Sequence, residues 1–411
     1  MDLFDIITIL ITLSALFGYL NYRYLHLPRV IGLLLFGLLL SFGIVAVGFF
    51  HPSIKQSATE LVGRVDFNRL LLHGMLGFLL FAGPLQLGME SLLREKWVVL
   101  SLSTLGVLLS TAMVAALTWV LLWFLGNPVP VIYCLLFGAL ISPTDPIAVL
   151  AIMRKLRAPE ALQTVMAGES LFNDGIGVVI FVTLLQVASK GGSPHPGAVI
   201  VLFLKQAVGG VLFGAIVGYG VYRLIRSIDN YQVEVLLTLA LAMGGYSLAN
   251  ALQLSGPLAV VVAGLLIGNR GRAGGMSEHT RMHLDSFWEL IDEILNAVLF
   301  VLIGLELLSL TFSRIYILMG LIAIPVVLLA RTFSVGAPIA LIRLSRPLLP
   351  HTVKTLTWGG LRGGLAVALA LSLPSVPEKS LLLVMTYVVV VFSIVVQGLT
   401  IEKLLVRWAK R

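Results

Sequence analysis

Residues 134–153 read CLLFGALISPTDPIAVLAIM. The stretch has the apolarity and length of a helix that crosses a bilayer, about 20 residues. Its middle does not fit such a helix, because Pro143 and Pro146 flank Thr144 and Asp145. Proline removes a backbone donor and clashes with the turn before it, so this close pair predicts an unwound segment. A second interrupted stretch, residues 356–373, reads LTWGGLRGGLAVALALSL, with Gly359, Gly360, Gly363 and Gly364 around Arg362. Glycines weaken a helix and let backbones approach closely. Unwound backbone survives in a bilayer only where protein or a water-filled cavity satisfies it.

The rest of the chain agrees with a membrane setting. It has 411 residues, 58% hydrophobic and 12% charged, against about 25% charged in an average soluble domain, and a mean hydropathy of +1.02. That leaves too little polar surface for a soluble fold, and it excludes disorder, a coiled coil and nucleic-acid binding. The net charge of +8 then reflects Lys and Arg gathered on cytoplasmic connections. Cys134, the single cysteine, lies in an apolar run and says nothing about redox chemistry.

Thirteen candidate spans can be read, roughly 4–22, 30–50, 70–89, 98–125, 130–152, 166–187, 200–224, 233–251, 256–269, 290–311, 315–342, 355–373 and 380–401. The first has Asp2 and Asp5 where a signal peptide would carry basic residues, so it is not expected to be cleaved. The largest connections, 51–69 and 270–289, are too short for a soluble domain, and residues 1–411 are expected to form one transmembrane unit. With the N-terminus outside, 19 of the 28 Lys and Arg fall on inner connections, six on outer ones, and Lys205, Arg331 and Arg362 within spans. A missed or invented span would scramble that bias. The two interrupted spans, fifth and twelfth, are an odd number apart, so a repeat with that offset is inverted. This suggests inverted repeats at roughly 1–190 and 230–405. Prolines and glycines are common in membrane helices, but paired breaks in two halves, each holding a charge, point to a transport site.

Five charges stand out inside spans: Asp145, Glu169, Asp174, Arg331 and Arg362. Each costs at least about 2.5 kcal/mol at mid-membrane. At 1.5 Å per residue, Asp145, Asp174, Arg331 and Arg362 lie about 10–16 Å from the inner side, in one slab, with Glu169 a turn nearer the cytoplasm. In GESLFNDG, Glu169, Ser170, Asn173 and Asp174 follow an i, i+1, i+4, i+5 pattern and form one stripe. Such oxygen ligands suit a hard cation; zinc is not expected, since no His or Cys belongs to the cluster. Three acids and two arginines leave one negative charge, which one proton or one monovalent cation neutralises. An array of ion-paired staples would leave one carboxylate over, although the Glu169–Arg331 pair by itself reads best as a staple.

At these residues the sequence resembles the monovalent cation/proton antiporters of the NhaP type, relatives of the animal sodium/proton exchangers. The most specific motifs are ISPTDPIAVLAI (141–152) and AGESLFNDGIGVVIF (167–181). Supporting ones are LPRVIGLLLFGLLL (27–40), FLLFAGPLQLGMESLLREKW (78–97), LSGPLAVVVAGLLIG (254–268), FWELIDEILNAVLFVLIGLEL (287–307) and LTWGGLRGGLAVALALSLP (356–374). The resemblance implies an all-α fold of thirteen helices in inverted repeats, with two broken helices crossing mid-membrane. It also implies a homodimer and a core that moves against a dimerisation domain. Asp174 matches the family's ion- and proton-binding aspartate, Asp145 and Thr144 the unwound-helix residues at the ion site, and Ser170 a further ligand. Asn173 stands where the electroneutral branch has asparagine. Glu169 matches the acid that pairs with an arginine, here Arg331 of LLARTFSV (328–335), and Arg362 the arginine of the second broken helix. Only about ten residues follow the last span, so regulation by a C-terminal domain is not expected.

The expected function is exchange of sodium, with lithium or potassium as further candidates, for protons, at one to one and without a cofactor. Its setting is a cell membrane with the N-terminus outside and the C-terminus cytoplasmic, where it would serve pH and sodium homeostasis. A potassium/proton antiporter or a passive cation channel is the alternative. A membrane enzyme is disfavoured: GESLF is not the Gly-x-Ser-x-Gly of a nucleophile elbow, and no nucleotide motif is present. Lys205 is expected to snorkel to the interface and His73 to be a surface histidine. Glu289, Asp292 and Glu293 could funnel cations, but a solvated helix start is the default reading.

Overall fold

The computed structural model describes residues 3–63, 67, 70–189, 196–310, 313–345 and 348–409. Among them the secondary structure is helical, apart from an isolated antiparallel bridge between Asp145 and Leu361. In chain order the helices are α1 (Phe4–Leu25), α2 (Arg29–Gly48), α3 (Pro52–Gly63), α4 (Leu70–Gln86), α5 (Met89–Arg94) and α6 (Lys96–Phe124). Then come α7 (Val131–Ile141), α8 (Ile147–Lys155), α9 (Glu160–Ser189), α10 (Pro196–Ile225), α11 (Tyr231–Ala251) and α12 (Gly256–Arg270). The chain ends with α13 (Glu278–Glu306), α14 (Arg314–Arg343), α15 (Thr352–Gly359), α16 (Gly364–Leu371) and α17 (Lys379–Trp408). Eight are long and apolar enough to cross a membrane. Large side chains such as Ile216 (71% exposed) and Leu318 face outward from them, as lipid contact requires. The protein is a multi-pass membrane protein.

The predicted breaks lie where the prolines and glycines put them. α7 stops at Ile141 and α8 starts at Ile147; α15 stops at Gly359 and α16 starts at Gly364. Proline alone does not break these helices: α4 runs through Pro84, and α14 through Pro325 and Pro338. What distinguishes residues 142–146 is the paired spacing, together with polar side chains that satisfy the freed backbone.

Two connections differ from the reading of the sequence. Residues 52–63, expected as loop, form α3, and α13 starts at Glu278, within the stretch 270–289 expected as a connection, so the tenth span is the C-terminal part of a longer helix. Both segments are polar, and hydropathy registers only helix that is apolar. Local chemistry starts α13: the Ser277 hydroxyl accepts from the Thr280 N–H at 3.3 Å, a typical N-cap. The short ninth span is real, and α12 is capped by Ser255 with Pro257 in its first turn. α12 packs tightly on α10, where Gly210, Gly214 and Gly218 lie against Ser255, Ala259 and Ala263. A Cβ on Gly214 would come within 2.2 Å of the Ala259 carbonyl oxygen, a small-residue seam of the kind that joins helices in lipid.

Lys205 is exposed, in keeping with a snorkelling role. The side chains of His73 and Arg272, and residues Arg64, Arg69, Lys190, Arg346, Lys410 and Arg411, lie outside the described residues.

Candidate ion-binding site

The two breaks touch. The Asp145 N–H donates to the Leu361 carbonyl at 2.8 Å, so the unwound segments cross as a single rung of sheet. Gly363 makes room for this: a Cβ there would lie 2.5 Å from Asp145 Oδ2 and 2.6 Å from Asp145 Cβ. Its φ of −112° suits any residue, so the requirement is space. Gly363→Ala is expected to push the crossing apart, at about 1–3 kcal/mol of overpacking. Transport activity should fall well below that of the parent at equal protein level in vesicles; parent-like activity would show that the crossing is not tightly built.

Helix ends at each break would leave carbonyls and N–H groups without partners. On the α7 side, Arg362 Nη1 donates to the Ser142 and Pro143 carbonyls, and the Arg362 N–H donates to Ser393 Oγ at 2.9 Å. On the α15 side, Arg331 Nη2 donates to the Leu356 carbonyl at 3.1 Å, and Gln397 Nε2 to the Trp358 carbonyl at 3.0 Å. A cation thus sits at the C-terminal end of each half-helix, where the helix dipole favours it. At the opposite pole, Asp145 Oδ1 accepts from the Ile147 N–H at 3.0 Å and caps the start of α8.

The helix α9 stripe divides between two neighbours. Ser170 and Asp174, one turn apart, line a cavity together with Thr144 and Asp145. Glu169 and Asn173, on the adjacent edge, are buried in protein at 1% and 0% exposure. Asn173 is committed at both ends of its amide: Oδ1 accepts from the Thr144 N–H at 3.3 Å, and Nδ2 donates to Thr144 Oγ1 at 2.8 Å. Ser170 Oγ donates to the Thr144 carbonyl. Glu169 forms a buried ion pair with Arg331. Of the eight residues singled out in the sequence, Thr144, Asp145, Ser170 and Asp174 face the cavity; Asn173, Glu169, Arg331 and Arg362 hold the walls from behind.

The cavity has a volume of about 390 Å³, and exposed Arg154, Glu289 and Glu293 stand at its rim. Asp292 and Asn296 of α13 line it as well. These acids do not form a merely solvated helix start, as the default reading had it. Their spacing of 289, 292, 293 and 296 marks one helix face, a signal that was present in the sequence. Glu293 is paired with Arg29 of α2. The inventory of five inner charges was also too short: Glu234 is 0% and Glu306 7% exposed. Glu234 Oε1 accepts from the Asn230 N–H and from Thr280 Oγ1, tying α11 to α13.

Apolar helices arranged around two crossed, interrupted ones, with two carboxylates on one cavity at the crossing, define a polytopic membrane protein built as a transporter. Residues 11–407 match the family described as sodium/hydrogen exchanger, transmembrane, and the chain belongs to that family. It is 47% identical to the Na+/H+ antiporter NhaP of Pseudomonas aeruginosa, over 98% of this chain and 96% of that one. It is 36% identical to the Na+/H+ antiporter NhaH of Halobacillus dabanensis, over 92% and 91% of the two chains. Its fold matches the structure of the sodium proton antiporter MjNhaP1 from Methanocaldococcus jannaschii, with a TM-score of 0.78 at 19% identity and full coverage of both chains.

Proposed function

We propose that the protein exchanges one sodium ion for one proton across a cell membrane, with Asp174 as the shared carboxylate and Asp145, Thr144 and Ser170 completing the cation's oxygen shell. The observation that carries this is the division of labour at the crossing. The other polar groups there are largely spent on one another, whereas Asp174 and Asp145 face the cavity. Ser170 and Thr144 keep hydroxyl lone pairs for a cation: Ser170 Oγ only donates, to the Thr144 carbonyl, and Thr144 Oγ1 accepts one bond from Asn173 Nδ2, so at least one pair on each oxygen is unused. With Glu169 neutralised by Arg331, the carboxylates of Asp145 and Asp174 against Arg362 leave one negative charge to be met by sodium or by a proton.

Membership of the exchanger family and the names of the two relatives support sodium and proton as the transported pair. The same membership supports a homodimer, inverted repeats near 1–190 and 230–405, and a core moving against the remaining helices by alternating access. With the N-terminus outside, the cavity opens to the cytoplasm. The physiological role would be pH and sodium homeostasis.

A purified, reconstituted preparation tests the proposal: sodium, lithium and potassium are added to vesicles holding a proton gradient, with and without an imposed potential. Electroneutral exchange predicts dissipation by sodium that the potential does not alter. A passive channel would move the cation without dissipating the proton gradient, and a response to potassium alone would make this a potassium/proton antiporter. Competition at one carboxylate sets the pH dependence. Below the pH at which the proton occupies half the sites, the half-saturating sodium concentration should rise roughly tenfold per unit as pH falls. The maximal rate should be recovered at high sodium. A lowered maximum with unchanged half-saturation would rule out a shared site.

A further inference from the structure

Along one face of α13, Asp292, Asn296, Leu299, Ile303 and Glu306 follow one another at alternating spacings of four and three residues, and so form a line along the helix. The first three line the cavity with Asp145 and Asp174. Leu299 is where the cavity ends on this face: its side chain packs on Gly364 at the start of α16, where a Cβ would come within 2.6 Å of Leu299 Cδ1. Ile303 beyond it is 0% exposed, and its carbonyl accepts from the Tyr387 hydroxyl at 2.9 Å. Glu306 comes next, about 10 Å past Leu299 at 1.5 Å per residue.

Glu306 is 7% exposed, and its carboxylate has no hydrogen bond or ion pair among the described residues. It is also the last residue of α13, where the negative end of the helix dipole disfavours an acid. Burial without a partner is a second cost. Among the described residues no hydrogen bond or ion pair offsets either, so the structural contacts they provide do not account for a carboxylate at this position.

We propose that Glu306 is the carboxylate that receives the cation from the side of the membrane opposite the cavity, the counterpart of Asp292 on the cavity side. The inference rests on the exchange reading above. Asp292 and Asn296 stand on one side of the Leu299 seal and Glu306 on the other, on the same helix face. A displacement of the crossing along α13 by two turns, about 11 Å, would carry Asp145 and Asp174 past Leu299. The cavity would then close, and the site would stand before Glu306. The ligand is a monovalent cation shedding its water, drawn by a single negative charge in a low-dielectric passage.

The test compares right-side-out and everted membrane vesicles, measuring the half-saturating sodium concentration presented at each face. E306Q should raise it roughly five- to tenfold at the face opposite the cavity and leave it unchanged at the cavity face. D292N should do the reverse, and E306D should behave like the parent. A shift that is equal at both faces, or absent at both, overturns the proposal, as does an E306D protein that behaves like E306Q. An E306Q protein that fails to accumulate in the membrane overturns it as well, since that would give Glu306 the structural role denied to it here. If the unmutated protein exchanges no sodium, the exchange reading itself has failed; sodium exchange without sidedness in E306Q refutes the role of Glu306 alone.

Discussion

Asp174→Asn is expected to abolish sodium-dependent proton movement while leaving the protein folded and in the membrane. Asp174 lines the cavity on α9 and has no hydrogen bond among the described residues. The amide occupies the same space, so the walls need not change. It carries no charge to offset a desolvated cation and cannot release a proton in exchange for one. Removing one partner of a close, desolvated charge contact costs about 2–5 kcal/mol, or roughly 30- to 5,000-fold in affinity. Asp145 does not replace it, because that carboxylate already belongs to the same oxygen shell, and against Arg362 it leaves no net negative charge for the cation. Asp174→Glu should retain measurable exchange with a raised half-saturating sodium concentration, since the carboxylate survives on a longer arm. Dequenching in everted vesicles at matched protein amounts measures both variants. Parent-like exchange by Asp174→Asn would remove the basis for a shared carboxylate.

The crossing was legible because its cause is local. Pro143 and Pro146 act within one turn, and so do the glycines around Arg362, which is why the sequence located both breaks to within a few residues. Pro84, Pro325 and Pro338 show that a lone proline lacks that meaning here. The division of the α9 stripe was less legible. Helical spacing groups Glu169, Ser170, Asn173 and Asp174 on one side of the helix, but only the neighbouring elements decide that Ser170 and Asp174 meet the cavity while Asn173 turns to Thr144. The acids of α13 were misread for a different reason. Hydropathy treats a charge near a span as its end, so the helix was begun at 290 instead of Glu278. The regular spacing of Glu289, Asp292, Glu293 and Asn296 then passed as a solvated start. Glu234 escaped in the same way: it lies one turn into α11 and looks like an interfacial residue, yet Thr280 of α13 covers it.

The Glu169–Arg331 pair is the place where single substitutions should cost the fold most. Both side chains are buried, at 1% and 5% exposure. Removing one member of a buried pair leaves an uncompensated charge and costs about 3–5 kcal/mol. Glu169→Gln leaves the Arg331 charge beside Arg362, which lines the same small space behind the crossing. Arg331→Met leaves the Glu169 charge and also removes the side-chain donor that the Leu356 carbonyl has beside the Gly360 N–H at the end of α15. Both variants should therefore lose monodisperse protein at markedly lower temperature than the parent when heated in detergent, with Arg331→Met the worse of the two. The double variant Glu169→Gln/Arg331→Met removes both charges and should lose less stability than the sum of the singles, the signature of a coupled pair. Exchanging the two residues is expected to fail, although it conserves the net charge. A glutamate at 331 is acceptor-only when ionised and cannot serve the Leu356 carbonyl. Additive single effects would mean that the two residues do not act as a pair, and a charge-exchanged protein as stable as the parent would mean that the α15 break does not depend on the arginine.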